Sequence, residues 1–452
     1  RVLVAGRGRA GAAEAAGWPC VVEVDDERAA LAELARRVHG RPDESLAMVG
    51  VTGTNGKTTT CRLIASVLEA AGVPAGLLGT VEHRLGAGET VAAERTTPEA
   101  PDLHRFLARM KDNGCGACVM EVSSHAIELK RVHGIRYSVA VFTNLTRDHL
   151  DYHKDMESYF LAKAALFDGL QPGAAAALNL DDPYGRRLAG RLASGRPAVR
   201  LAGFGSDRSA WIRIVEVRAA VSGTVVRLAE GDVERDLSTP LVGRPNACNV
   251  ASAVAATRAM GASWDAVAAG IAAVAGIPGR MERVKAPAAA ASGAEVTVLV
   301  DYAHTDDALR TALQTAREIT PGRLLVVFGC GGDRDRTKRP LMGAHAVRLA
   351  DVVHVTSDNP RSEDPMAIID AILAGAAGVP SAERRPGVRV LADPDRARAI
   401  EAAVCAARPG DTVLIAGKGH ETCQIFGDRT VPFDDREVAR EALAGRSPGG
   451  AR

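Results

Sequence analysis

Aromatic residues make up only 4% of this 452-residue chain, so its cores have to be built from Ala, Val and Leu rather than from rings. No apolar run approaches the roughly 20 residues that a membrane-crossing helix needs. An excess of one charge is also missing: 56 Lys plus Arg stand against 55 Asp plus Glu, a net of +1. That balance excludes a global field for nucleic acid or an anionic membrane, so neither is an expected partner. An anionic substrate has to be met by a local basic site. Cysteine is present without a metal-binding pattern, because Cys115–Cys118 is the one CxxC among eight scattered cysteines. A zinc site needs a second CxxC or a CxxH pair. Ala117–Val122 reads as a buried strand, so these two thiols are expected to pack. Reduced thiols without a signal-peptide pattern suggest the cytoplasm.

What is abundant is alternation. Short apolar runs such as Met48–Val51, Val119–Val122, Val139–Leu145, Val296–Tyr302, Leu324–Gly329, Val352–Ser357 and Thr412–Gly417 are separated by Ala-rich helical stretches. Continuous apolar strands followed by helices predict an α/β fold with parallel sheets covered on both faces. Between Arg200 and Val242 the runs are closer together, and an antiparallel β insertion is expected there. The length calls for two or three domains. Breakers at Gly276–Gly279 mark a boundary, giving parts 1–44, 45–278 and 279–452, with residues 286–294 a loop. Residues 1–44 are too short for a full domain. Within them, Val2–Ala5 and Val21–Val24 read as strands and Asp26–Val38 as a helix.

The sharpest motif is Gly53-Thr54-Asn55-Gly56-Lys57-Thr58-Thr59, between a strand and the helical pattern Cys61–Ala71. Glycines let the backbone turn so that its amides and the helix N-terminus face phosphate oxygens. Lys57 would neutralise the β and γ phosphates, and the Thr58 hydroxyl would sit on Mg²⁺. The spacing departs from GxxxxGK[ST], since the first Gly stands three residues before Gly56. Two strand ends add metal-binding types: Glu121 closes one apolar strand, and His149 follows the next in Thr143–Asp151. Carboxyl ends of strands are where α/β sheets place ligands. Lys163 lies on a helix beyond them.

Together these segments resemble the Mur ligases, which build the stem peptide of bacterial peptidoglycan. The likeness runs from about Ser45 to Asp434. It includes Glu121-Val122-Ser123-Ser124-His125, Asn144–His153, Gly243-Arg244-Pro245-Asn246, Pro278-Gly279-Arg280-Met281-Glu282 and Asp301-Tyr302-Ala303-His304-Thr305. The resemblance implies three-part architecture, with a P-loop central domain and a Rossmann-like C-terminal domain. It implies that ATP phosphorylates a substrate carboxylate and that an amine then attacks the acyl phosphate. Lys57 and Arg280 would serve the γ-phosphate. Thr58, Glu121 and His149 would hold Mg²⁺, two ions in all. Lys163 would be carbamylated into an anionic metal ligand, which requires a neutral amine and hence a depressed pKa. Asn246 matches an adenine contact and Asp301 the nucleotide side of the last domain. Thr96, Thr97, Ser123 and Arg131 match contacts to the sugar-peptide substrate. From sequence alone, Arg131 reads equally well as an exposed charge.

Within the family the chain is most similar to members that extend UDP-N-acetylmuramoyl-L-alanyl-D-glutamate, the UDP-muramoyl-dipeptide, by a third residue. Asp358-Asn359-Pro360-Arg361 resembles the pattern of enzymes that select meso-diaminopimelate. That substrate carries a second amino-acid head, whose carboxylate suits Arg334, Asn359 or Arg361 and whose ammonium suits an acid such as Glu421, near Gly417. Rival expectations are a ligase of another acceptor (L-lysine, folylpolyglutamate or cyanophycin type) and a non-catalytic nucleotide-binding paralogue. The chain departs from the family at Asp306, where Pro is usual and a small loop change is expected. It also departs in residues 1–44, which are shorter than the family's UDP-binding domain and read as its remnant. A monomer is expected.

Overall fold

The computed structural model describes residues 3–9, 11, 16, 20–148, 150–285 and 296–446. The expected loop at 286–294 therefore lies outside the described residues. The chain divides into two compact units, one of 1–216, 226–237 and 248–273, the other of 217–225, 238–247 and 274–452.

In the first unit Leu3–Gly6 (β1) and Val21–Val24 (β2) pair in parallel. The helix after them, Glu27–Val38, is capped by Asp26, whose carboxylate accepts from the Ala29 amide at 2.9 Å. The main strands are β3 (Ala47–Thr52), β4 (Ala75–Leu78), β5 (Glu82–Gly86), β6 (Glu89–Ala92), β7 (Ala117–Glu121), β8 (Tyr137–Phe142) and β9 (Ala175–Asn179). They continue with β10 (Arg200–Gly205), β11 (Ile212–Ala220), β12 (Gly223–Glu230) and β13 (Val233–Thr239). The sheet order is β13-β12-β11-β10-β9-β8-β3-β7-β4-β5-β6. Its centre, β9-β8-β3-β7-β4, is parallel throughout. The expected antiparallel segment extends this sheet rather than standing apart from it. β11 joins β10 in parallel, while β11-β12 and β12-β13 are neighbours linked by two residues each, a connection only antiparallel strands allow. The apolar pattern showed strands but could not show which edge they would extend.

Burial explains the runs. Met48, Val49 and Val51 of β3 and Cys118, Val119 and Met120 of β7 have no exposed surface, because helices cover both faces. Leu103, Leu107 and Met110 of helix Ala100–Asp112 share one core with Met48, Met120 and Phe142. Cys115 and Cys118 are buried free thiols, as expected of packing cysteines.

The second unit is a doubly wound sheet of β14 (Glu282–Val284), β15 (Thr297–Asp301), β16 (Leu324–Phe328), β17 (Val352–Val355), β18 (Arg389–Ala392) and β19 (Thr412–Ala416). Its order is β14-β15-β19-β16-β17-β18, and only β14 runs antiparallel to its neighbour. Alternate residues feed opposite faces: Leu299, Val326 and Leu414 meet helices Asp306–Ile319, Lys338–Leu349 and Pro365–Ala377. Val298, Val327 and Ile415 meet helices Arg396–Ala406 and Asp435–Ala444. A hairpin of β20 (Cys423–Phe426) and β21 (Arg429–Pro432) comes after β19. Asp306 is the first residue of a helix rather than part of a loop. Thr305 caps it through the Ala308 amide at 3.2 Å, and an acid in the first turn suits the helix dipole.

Arg396 and Asp435 form an ion pair with both side chains fully buried, at 2.7 Å. The same guanidinium donates to Ser357 O at 3.2 Å and Ala416 O at 3.0 Å, tying the ends of β17 and β19 together. A buried pair is costly to break from one side only, because the surviving charge has no solvent. Asp435→Asn is therefore expected to cost ~3–5 kcal/mol, read as a lower urea midpoint. Replacing both partners by Met and Leu should cost much less.

Candidate active site

The phosphate loop lies directly after β3. Gly53 takes φ 147° and Gly56 φ 87°, backbone that L side chains rarely adopt. A β-carbon on Gly53 would collide with Thr143 Oγ1, and one on Gly56 with Asn249 Oδ1. Gly56 is also the N-cap of helix Lys57–Ala70 and offers no side chain to its first amides, which leaves them for phosphate oxygens.

Residues 143–146, after β8, clamp this loop. Asn144 Oδ1 accepts from the Asn55 amide at 2.9 Å, and Thr143 Oγ1 donates to Asn55 O at 2.6 Å. The Thr54 amide donates to Asn144 O at 2.9 Å, while the Thr146 amide donates to Thr54 Oγ1 at 3.1 Å. In the sequence this segment pointed to metal binding through His149, which lies outside the described residues. Its first four residues were legible as a motif, but not as the support of the loop.

Two lysines share one acceptor. Lys57 Nζ donates to Gly53 O at 3.0 Å and Thr54 O at 2.8 Å, and Lys163 Nζ donates to Gly53 O at 2.9 Å. Lys163 is 1% exposed and lies over the Tyr159 ring at 4.6 Å. Burial, reinforced by the nearby Lys57 charge, holds its pKa well below the ordinary lysine value, against the opposing pull of Asp148. Glu121 is likewise 1% exposed. Its carboxylate accepts from the Thr80 amide at 2.8 Å and the Thr80 hydroxyl at 3.1 Å, neutral donors that leave its charge uncompensated by them. Thr58 and Thr59 are buried at the head of the helix. No cluster of three or more His, Cys, Asp or Glu able to hold a metal occurs among the described residues. A cation here would draw on one carboxylate, a hydroxyl and phosphate oxygens, the donor set hard Mg²⁺ prefers.

Thr96, Thr97, Ser123 and Arg131 do come together. Thr97 Oγ1 donates to Glu121 O at 2.9 Å and accepts from the Ser123 amide at 3.1 Å. Thr96 Oγ1 lies 3.1 Å from the Thr80 hydroxyl, within hydrogen-bond distance. Arg131 is 9% exposed, which removes the exposed-charge reading. It bonds Thr97 O at 3.1 Å and pairs with Glu99 at 2.7 Å. Thr80 was missed, since an isolated threonine carries no sequence signal.

In the second unit, Asp301 at the end of β15 accepts from the amides of Met281 at 2.7 Å and Ala303 at 2.9 Å. Burial raises its pKa, opposed by Arg280 and those amides. Arg280 lies over the Tyr302 ring at 4.6 Å. Asn246 donates to Val242 O at 2.8 Å. Loops after β16, β17 and β19 bring the remaining residues together. Asn359 Nδ2 donates to Glu421 Oε2 at 2.9 Å. Arg361 donates to Gly332 O at 2.7 Å, with φ 52° locked by its amide to Ile425 O at 3.0 Å. Gly417 donates to Asp301 O at 3.0 Å, and Asp358 Oδ1 stands 3.6 Å from Lys418 Nζ. Arg334 is exposed and donates to Asp333 O at 2.9 Å.

A glycine-turned loop opening a helix, a buried lysine beside it and a buried carboxylate at the next strand end define a P-loop nucleotide-binding α/β protein. Residues 51–257 match the Mur ligase middle domain, and residues 279–419 the Mur ligase glutamate ligase domain. A Solibacter usitatus protein named UDP-N-acetylmuramoyl-L-alanyl-D-glutamate–2,6-diaminopimelate ligase is 46% identical over 433 residues, 95% of this chain and 83% of that one. A Streptomyces avermitilis protein of the same name is 47% identical over 432 residues, 95% and 82% of the two chains. A solved structure of a ligase with that name superposes with a TM-score of 0.69 at 31% identity, over 98% of this chain and 92% of the other. The Mycobacterium tuberculosis folylpolyglutamate synthase complexed with ADP and AMPPCP also reaches 0.69, over 93% and 96%, but at 22% identity it shares the fold alone. The chain belongs to the Mur ligase family of ATP-dependent, amide-forming enzymes.

Because only glycine fits where Gly53 sits, Gly53→Ala should weaken ATP binding about tenfold or more, measured by calorimetry on folded protein.

Proposed function

We infer that this chain joins meso-2,6-diaminopimelate to UDP-N-acetylmuramoyl-L-alanyl-D-glutamate, with ATP converted to ADP and phosphate. The observation that carries it is the identity of 46% over 95% of the chain to a ligase of that name. The cradle of Asn359, Arg361 and Glu421 supports the choice of amino acid. In this reading residues 45–278 bind ATP, 279–452 bind the amino acid, and 1–44 belong to the UDP-binding part. The reaction belongs in the cytoplasm, with a monomer as the working unit.

A carboxylate is a poor electrophile. Transfer of the γ-phosphoryl group to it expels ADP and gives an acyl phosphate. The amine then attacks the carbonyl, phosphate leaves, and the nitrogen loses a proton. Such chemistry needs positioning and charge stabilisation more than a protein nucleophile. The loop amides from Gly53 to Thr59 and Lys57 would cradle the phosphates, and Arg280 would offset charge on the transferring group. Asn246 and Asp301 would serve the nucleotide on the second unit's side. Thr96, Thr97, Ser123 and Arg131 would hold the sugar-peptide. When bound, Mg²⁺ neutralises phosphate charge; Thr58, Glu121, His149 and a modified Lys163 would hold it. Asp358, Arg334 and Gly417 complete the amino-acid cradle.

Lys163 supports carbamylation on its own geometry. A neutral amine adds to CO₂ with loss of one proton, which turns a cation beside Lys57 into an anion. Burial and the Lys57 charge both favour the neutral amine from which that step starts. With ¹³C-bicarbonate, a carbamate resonance is expected in the wild type and absent in Lys163→Gln. A wild type without it would rule the modification out.

Phosphate release should require UDP-muramoyl-dipeptide together with diaminopimelate, and L-lysine or glutamate should not replace the latter. Arg361→Ala should lower kcat/KM for diaminopimelate ~30-fold or more, from about 2 kcal/mol for a truncated charged pair, and leave the KM for ATP nearly unchanged. Equal losses for both substrates would reject the assignment of the cradle, and release driven by glutamate alone would reject the function.

A further inference from the structure

Lys418, just after β19, has no exposed surface, a placement lysine almost never takes unpaired. Its ammonium is at 3.0 Å from Asn359 Oδ1, at 3.0 Å from Glu421 Oε2 and at 3.6 Å from Asp358 Oδ1. All three partners belong to the segments proposed to bind diaminopimelate, so a role for Lys418 in selectivity rests on that reading. We propose that Lys418 is a positioning residue that sets the preference for diaminopimelate, by fixing the Asn359 amide and the Glu421 carboxylate in one arrangement.

Donors and acceptors can be counted atom by atom. Asn359 Oδ1 has two lone pairs, and it accepts from Lys418 and from the Ile425 amide at 3.2 Å. Both partners are obligate donors, so the amide can stand only one way round. Its nitrogen therefore faces Glu421, and one N–H goes to Oε2 at 2.9 Å. The second N–H is left to donate, and an acceptor such as a carboxylate oxygen is what it suits. Glu421 Oε2 is taken by Lys418 and Asn359, which leaves Oε1 for a cation. With the Arg361 guanidinium nearby on the same segment, the set complements an ammonium and a carboxylate on one carbon, the head that L-lysine lacks at its far end.

Without the ammonium the amide is oriented only by the longer Ile425 bond and by a Glu421 carboxylate that has itself lost its tether, so both side chains are held less firmly, while Asp358 and Glu421 lose their shared cation. Arg361 and Glu421 contact the ligand in this reading; Lys418 acts through Asn359 and Glu421.

The test uses the full chain with UDP-muramoyl-dipeptide, ATP and either diaminopimelate or L-lysine. The wild type comes first: no turnover with diaminopimelate would overturn the functional reading itself. Given that turnover, Lys418→Met and Lys418→Gln are compared with Lys418→Arg, each with its thermal midpoint. The expected result is a KM for diaminopimelate raised about ten- to hundredfold in the neutral variants, with the KM for ATP within about twofold. The preference for diaminopimelate over L-lysine should fall by a similar factor, and Lys418→Arg should recover part of it. A lower midpoint or lower kcat with the preference unchanged would make Lys418 a fold residue only and overturn the inference.

Discussion

The carbonyl of Gly53 accepts from Lys57 and from Lys163, and most of the first unit's site depends on that shared acceptor. The oxygen points inward only because Gly53 takes a φ closed to other residues. Two ammonium groups on one buried oxygen repel each other, and the one with less solvent gives way. Lys163, 1% exposed, is the one whose proton is loosened. The same turn sends the loop amides outward, toward where phosphate binds, and Thr143–Thr146 holds them there from the end of the neighbouring strand.

The second unit solves a similar problem with full compensation. Two of its buried cations, Arg396 and Lys418, each meet an acid, and each joins strand ends rather than filling a core. Arg396 fixes the frame by bonding a carbonyl just after β17 and the last carbonyl of β19. Lys418 works inside that frame on side chains that remain available to a ligand. Doubly wound sheets gather their loops at the carboxyl ends of strands, so both cations lie where such sheets place ligands. The cost of burying them is met by hydrogen bonds that also remove rotational freedom from Asn359 and Glu421.

Much of this was legible in advance. Apolar runs without alternation announced parallel strands buried on both faces, and β3, β7, β8, β15, β16, β17 and β19 stand where those runs fall. Asp26 capped the helix read at Asp26–Val38, and the CxxC thiols pack in the core. The direction of β11 was not legible, because its pattern suits either edge partner. Asp306 reads as a loop residue in the sequence, although the hydroxyl of Thr305 starts a helix there. Arg131 could be read as exposed or enclosed until its bond to Thr97 O gave it a place.

The sequence by itself determined the loop, the strands and the family, since these are written in contiguous residues whose spacing and turn chemistry act locally. Only tertiary structure decided which groups share a proton or a partner. Lys163 meets Gly53 across 110 residues, and Lys418 meets Asn359 across 59. Such meetings depend on strand order and burial, and burial is what turns a lysine from a solvated charge into one whose proton is less tightly held or into a fixed donor.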